Sequence, residues 1–405
     1  MDNSFPLQNS SLVNILTLRY DPSLKPNLPR KTSNDFEIND NIPGTEFIEK
    51  TICENIEQNL EKFTGEKISI ALSGGVDSTL ALSLIRKVKP NIEIEAISIK
   101  FADSVDETTA ASKIAHEFNA NHSILYLENY LSELPKAISM IKLPFWDLHW
   151  YYVVKKAKTF SNILISGDGG DELFSGYTFR YEKFLSLTSE NSTPLEKVKA
   201  YLECHERDRV SDQEYIFTKK SNFSWNSIYE ILIPYFDNNL SRLDQVYLAD
   251  YNGKLLYNFN PINSRIIDNF QMKLITPIIN NKLIKLASHM PSQSKYDEIN
   301  NIGKLPLRKI LKKNGHDSLV NNKKLGFNVN TLNLWNSHGY NLCKDFLTDS
   351  RAVKDGWIND DWIHKHIDNM DLDVKYINKF FGLLAFEIWY RLFVTKEMNS
   401  DTKLD

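Results

Sequence analysis

Residues 68–100, ISIALSGGVDSTLALSLIRKVKPNIEIEAISIK, decide how this chain is built. Ile68 to Leu72 is an apolar run of the kind a strand buried on both faces requires. SGGVDS (Ser73 to Ser78) interrupts it with two glycines, TLALSLIRKVK resumes at helical spacing, and Ile92 to Lys100 is a second strand candidate. Downstream, DETTAASKIAHEFNANH opens with acidic residues suited to a helix N-terminus, and Ile124 to Leu127 predicts a third strand. Ile163 to Ile165 predicts a fourth, ending at SGDGGDELFSGY (Ser166 to Tyr177). Strands alternating with helices specify an α/β fold with a parallel sheet and crossover helices. Upstream, FIEKTICENIEQNLEKF predicts a helix. Beyond Tyr177 no strand stands out, and residues 180 to 395 read as a mostly helical C-terminal half.

Residues 1–45 are rich in Asn, Ser and Pro, with Pro22, Pro26, Pro29 and Pro43 breaking any period, and are expected to form an irregular N-terminal extension. Residues 46–395 form the folded unit and 396–405 a tail. A net charge of −4 over 405 residues argues against nucleic-acid binding, which favours a basic excess. Cys53, Cys204 and Cys343 lie too far apart for a readable disulfide framework or zinc knuckle. The start lacks a basic segment followed by an apolar one, and Phe380 to Phe386 falls far short of the roughly 20 apolar residues of a membrane helix. A soluble, cytoplasmic protein is expected, with no membrane partner; the oligomeric state is not readable.

Six of the fifteen glycines (Gly74, Gly75, Gly167, Gly169, Gly170 and Gly176) fall in the two loops that follow predicted strands. In the first loop, backbone N–H groups and the following helix N-terminus make an anion site suited to phosphate. It is not a Walker A loop, because no Gly-Lys-Ser/Thr follows. Asp77 beside phosphates makes sense with a bridging cation, and Mg²⁺ commonly links carboxylates to phosphate oxygens. Asp171 is the second carboxylate. A single glycine-rich turn is more often a bare strand-to-helix connection; two at neighbouring strand ends point to a nucleotide.

SGGVDS resembles the pyrophosphate loop of the N-type ATP pyrophosphatases, and SGDGGDELFSGY resembles the second signature of the asparagine synthetase synthase domain. Gly303-Lys304 with Leu307-Arg308 is similar to that family's GK-x-x-LR element, Lys323 to Phe327 to its RKKxGF element, and FEIWYRLF (Phe386 to Phe393) to its closing tryptophan helix. The resemblance covers roughly residues 45 to 395. It implies an adenine-nucleotide hydrolase-like core that adenylates a carboxylate with ATP, releases pyrophosphate, and transfers ammonia or an amine to the acyl-adenylate. It further implies that Leu72, Ser73, Gly74, Gly75, Asp77 and Ser78 bind ATP and pyrophosphate. Asp77 and Asp171 would hold Mg²⁺, the Ile99 backbone would meet adenine, Gly167 would lie against the nucleotide, and Lys324 would serve the pyrophosphate side. Asp168 could take the proton shed as ammonia attacks.

Two departures stand out. The glutaminase half of the full-length enzymes has no counterpart in this sequence, so free ammonia or a separate glutaminase is expected to supply nitrogen. Where the family reads like DRxSMAxGxExRxPFLD, this chain has SRIIDNFQMKLITPIIN (Ser264 to Asn280). Lys273 replaces a glutamate and Ile275 an arginine, which predicts inverted charge and a lost carboxylate clamp at the acceptor pocket. Asparagine formation from aspartate is the simplest expectation, with a different carboxylate, lactam formation or a non-catalytic nucleotide-binding role as alternatives. The PFWDLHWYY cluster (Pro144 to Tyr152) reads as packing, and the nine histidines show no metal-binding spacing.

Overall fold

The computed structural model describes residues 7–37, 43–61, 63, 65, 67–101, 106–205, 209–320, 330–369 and 371–404. Five strands, β1 (Lys67–Ala71), β2 (Glu93–Phe101), β3 (Asn121–Leu127), β4 (Ile163–Ile165) and β5 (Lys273–Ile275), form one sheet in the order β3-β2-β1-β4-β5. All the pairings are parallel, with Ile70 opposite Ala96 and Ile165, and Ile165 opposite Ile275. Side chains alternate between faces: Ile94 and Ala96 join one core, and Ile97, Ile99 and Phe101 the other.

Helices cover both faces. They are α1 (Asn9–Leu18), α2 (Thr45–Leu60), α3 (Val76–Val88), α4 (Thr108–Glu117), α5 (Leu134–Ile141), α6 (His149–Lys158) and the short α7 (Gly170–Phe174). The apolar stripes of α2, α3 and α4 pack with Ile68, Ile70 and Ile94, whereas α5 and α6 share the second core with Ile97 and Leu164. The four expected strands are present. The fifth, inside a stretch expected to be helical, forms because β4 presents an unpaired edge and Ile275 buries beside it.

The expectation of an irregular N-terminal extension is overturned for residues 9–18. Residues 9–18 form α1, with Leu12, Val13, Ile15 and Leu16 in the core. Its polar residues are matched as well: Gln213 donates to Thr17 at 3.0 Å, and Asn14 donates to Asp21 at 3.2 Å. Lys379, on the helix Val374–Phe393, donates to the Leu16 carbonyl. Leu12 is fully buried, so Leu12→Ala is expected to cost about 2–5 kcal/mol through lost transfer energy and a cavity. Urea unfolding checks this; an unchanged midpoint would mean that α1 is detachable.

Candidate active site

The strand order reverses direction between β1 and β4, the topological switch point, where a crevice opens beyond the strands' carboxyl ends. Both glycine loops leave from these two strands. After β1, Leu72 donates to Ile97 as a last rung, and the chain turns through Ser73, Gly74 and Gly75 into α3. Ser78, one turn into α3, ties the loop down: the Ser73 N–H donates to its Oγ at 3.2 Å, and the two hydroxyls lie 3.1 Å apart. After β4, Ser166 donates to the Ile275 carbonyl at 3.0 Å, and Gly167 then passes against the first turn of α3. A β-carbon at Gly167 would stand 2.7 Å from the Ser78 nitrogen, so only glycine lets the loops approach this closely.

That approach brings Asp77 and Asp171 together. Gly170 leaves room for the Asp77 carboxylate, and Gly176 for that of Asp171, where any β-carbon would collide. Between them lies Lys304, whose Nζ is 2.7 Å from Asp171 Oδ1 and also pairs with Asp77 Oδ2. Burial works against the lysine's charge, but Asp171 and Asp77 outweigh it and hold the ammonium above the usual lysine range. Arg308, one turn along the helix Leu305–Lys313, is depressed by burial and also feels Asp77. The site thus gathers two carboxylates around a cation beside the glycine loop Ser73 to Ser78. That donor set, with its glycine-made clearances, fits Mg²⁺. Among the described residues no cluster of three or more His, Cys, Asp or Glu side chains could hold a metal ion, so phosphate and water oxygens would complete the coordination.

Asp168 sits at the crevice, only partly exposed, and accepts from Asn263 Nδ2 at 3.1 Å. Burial raises its carboxyl above the ordinary aspartate range, against the Asn263 bond and the nearby His149. Behind it, buried Glu172 accepts from Tyr177, whose hydroxyl also accepts from Lys254 at 2.9 Å. Leu72 and Ile99 are buried, so only their backbones can serve a ligand. The last β1–β2 pair is Ala71 with Ile97, whose carbonyl points to β1; by the two-residue period, Ile99 directs its peptide edge the same way, past the end of β1. Lys324 lies outside the described residues.

The family model for asparagine synthase matches residues 61–391. The chain belongs to the asparagine synthase family. It is 23% identical over 369 residues to glutamine-hydrolyzing asparagine synthetase 1 of Bacillus subtilis, covering 80% of this chain and 56% of that protein. The chain therefore spans about half the length of that curated relative. Solved structures similar to it include NMN synthetase from Francisella tularensis, at 13% identity and TM-score 0.26 over 56% of this chain and 93% of that one. Another is the NH₃-dependent NAD synthetase from Campylobacter jejuni, at 18% identity and TM-score 0.24 over 62% and 98%.

Against the family's acceptor-pocket pattern, the geometry corrects the expectation for Lys273. Its side chain is exposed at the amino end of β5, away from the crevice, and donates to the Asn59 carbonyl at 2.7 Å near the end of α2. It inverts no charge in the site. Ile275 is buried in the core on the α2 face. The sequence gives Gly303-Lys304 no role within its family element; the structure seats Lys304 between Asp77 and Asp171, a contact that no local pattern signals. The PFWDLHWYY aromatics pack as expected, with Trp146 and Trp150 buried and Asp147 accepting from Arg19 at 2.8 Å. Among the described residues no helix is long and apolar enough to cross a membrane.

Proposed function

We propose that this chain activates a carboxylate with ATP, releasing pyrophosphate, and passes the acyl group from AMP to ammonia or an amine, with aspartate the first substrate to test. The observation that carries this reading is the convergence of Asp77 and Asp171, from the strands flanking the switch point, beside the loop Ser73 to Ser78. A substrate carboxylate oxygen attacks the α-phosphorus, the bond to the bridging oxygen breaks, and charge gathers on the departing pyrophosphate. The Gly74 N–H and the α3 N-terminus stabilise that charge, while the Ser73 and Gly75 N–H groups, bound to the Ser78 and Ser73 hydroxyls, fix the loop. Lys304, and by family resemblance Lys324, add cations on the same side.

Asp77 and Asp171 would hold Mg²⁺, which would supply neutralisation of the negative charge of the nucleotide. The Ile99 backbone receives adenine, and Gly167 leaves room for the nucleotide. In the second half-reaction the amine attacks the acyl carbon, the carbon–oxygen bond to AMP breaks, and Asp168 accepts the shed proton. Ammonia or an amine supplies the nitrogen, and the work is cytoplasmic.

A second reading, the same adenylation on another carboxylate, is favoured by Ile275, which is apolar and buried where relatives would place an arginine. Product analysis with ATP, aspartate and ammonium decides between them. The proposal expects one AMP and one pyrophosphate per asparagine. ADP as product would overturn the mechanism, and AMP formed only with other carboxylates would establish the second reading.

A further inference from the structure

The chain supplies its own cation to the seat between Asp77 and Asp171, and that cation is held by the backbone as well as by charge. Lys304 adopts the left-handed conformation, φ 58°, at the N-cap of the helix Leu305–Lys313. A lysine there is strained, and such strain persists only where the surroundings enforce it. Here they do. Its N–H donates to the Phe174 carbonyl at 2.9 Å, and its own carbonyl accepts from the Arg308 N–H at 3.0 Å. Gly303 is pressed against the Ser175 carbonyl, and Gly176 leaves space for the lysine's Cε. The hydrogen bond to Phe174 ties the lysine to α7, the helix that carries Asp171, so ammonium and carboxylate are positioned by one rigid unit. With its side chain only 10% exposed, Nζ has little freedom to leave.

A free divalent cation would have to displace this tethered charge and leave it beside the incoming metal, a like-charge arrangement in a poorly hydrated place. A triphosphate changes the balance, because its oxygens offer Nζ another anion while they coordinate the metal. We infer that Lys304 is an internal competitor for the metal seat, excluding free divalent cations and yielding only to a metal that arrives with nucleotide. The inference rests on the reading of Asp77 and Asp171 as metal carboxylates. Its consequence is ordered loading: the site acquires nucleotide and metal together, and a lone metal ion does not prime it.

Mn²⁺ binding to the full chain, followed by electron paramagnetic resonance, tests this without turnover. Wild type is expected to bind Mn²⁺ poorly alone and at one equivalent with α,β-methylene-ATP. Lys304→Met is expected to bind Mn²⁺ alone about tenfold or more tighter than wild type, a gain lost when Asp77→Asn is added. Lys304→Gln serves the same purpose should the methionine variant fail to fold. Wild type binding free Mn²⁺ as tightly as with the analogue overturns the inference and leaves the metal site standing, as does a folded Lys304 variant with no gain. Failure of wild type to bind Mn²⁺ even with the analogue overturns the carboxylate reading itself.

Discussion

Asp77→Asn is expected to lower ATP–pyrophosphate exchange by about 10³-fold or more while the sheet remains folded. The substitution preserves volume and removes one of the two charges that meet around the cation. Asp77 occupies the first turn of α3, where a carboxylate otherwise gains from the positive helix terminus. Its position is useful only because Gly167 and Gly170 bring the second loop within contact of it. Lys304 keeps Asp171 as a partner, so the stability cost is expected to be about 1–3 kcal/mol, well short of what an orphaned buried charge would exact. Thermal unfolding and exchange measured on one preparation separate the two effects. Exchange within about tenfold of wild type would remove Asp77 from the chemistry.

Asp168→Asn should divide the reaction. Adenylation is expected to continue at near the wild-type rate, whereas amide formation falls by about 10²–10⁴-fold, the range for loss of a positioned proton acceptor. The expectation follows from the surroundings of Asp168: burial makes its carboxylate more basic than usual, and Asn263 fixes one oxygen while the site stays partly open. An amide at this position can neither carry the negative charge nor accept the proton. Chasing bound acyl-adenylate with ammonium and comparing AMP with amide gives the partition directly. A parallel fall in both half-reactions would assign Asp168 to binding or packing instead.

How far the sequence foretold this arrangement depends on the range of the forces involved. The apolar runs Ile68 to Leu72 and Ile163 to Ile165, each bounded by glycine, signal buried strands through local composition, and both appear within a residue of their expected limits. Lys273 to Ile275 is too short for any period to register; pairing with β4 alone makes it a strand. The reading of α1 failed for a similar reason. Its serines and asparagines suggest solvent, yet Gln213 and Asp21 satisfy Thr17 and Asn14, and these partners lie outside the helix. Asp77, Asp168 and Asp171 were legible because each adjoins a glycine turn. Lys304 was not, since its left-handed backbone and its partners more than a hundred residues away are tertiary facts.

The burial of α1 also sets a schedule for making the protein. The Leu16 carbonyl waits for a lysine 363 residues later, and Asn129 for the Leu404 carbonyl 275 residues later. At about 5–20 residues per second, translation needs on the order of 20–70 s to deliver that lysine, far longer than hydrophobic collapse takes. Helix α1 therefore leaves the ribosome with its apolar residues uncovered and cannot reach its final place until the helix Val374–Phe393 has been made. Contacts this distant in sequence predict slow maturation, in which the sheet assembles before α1 docks.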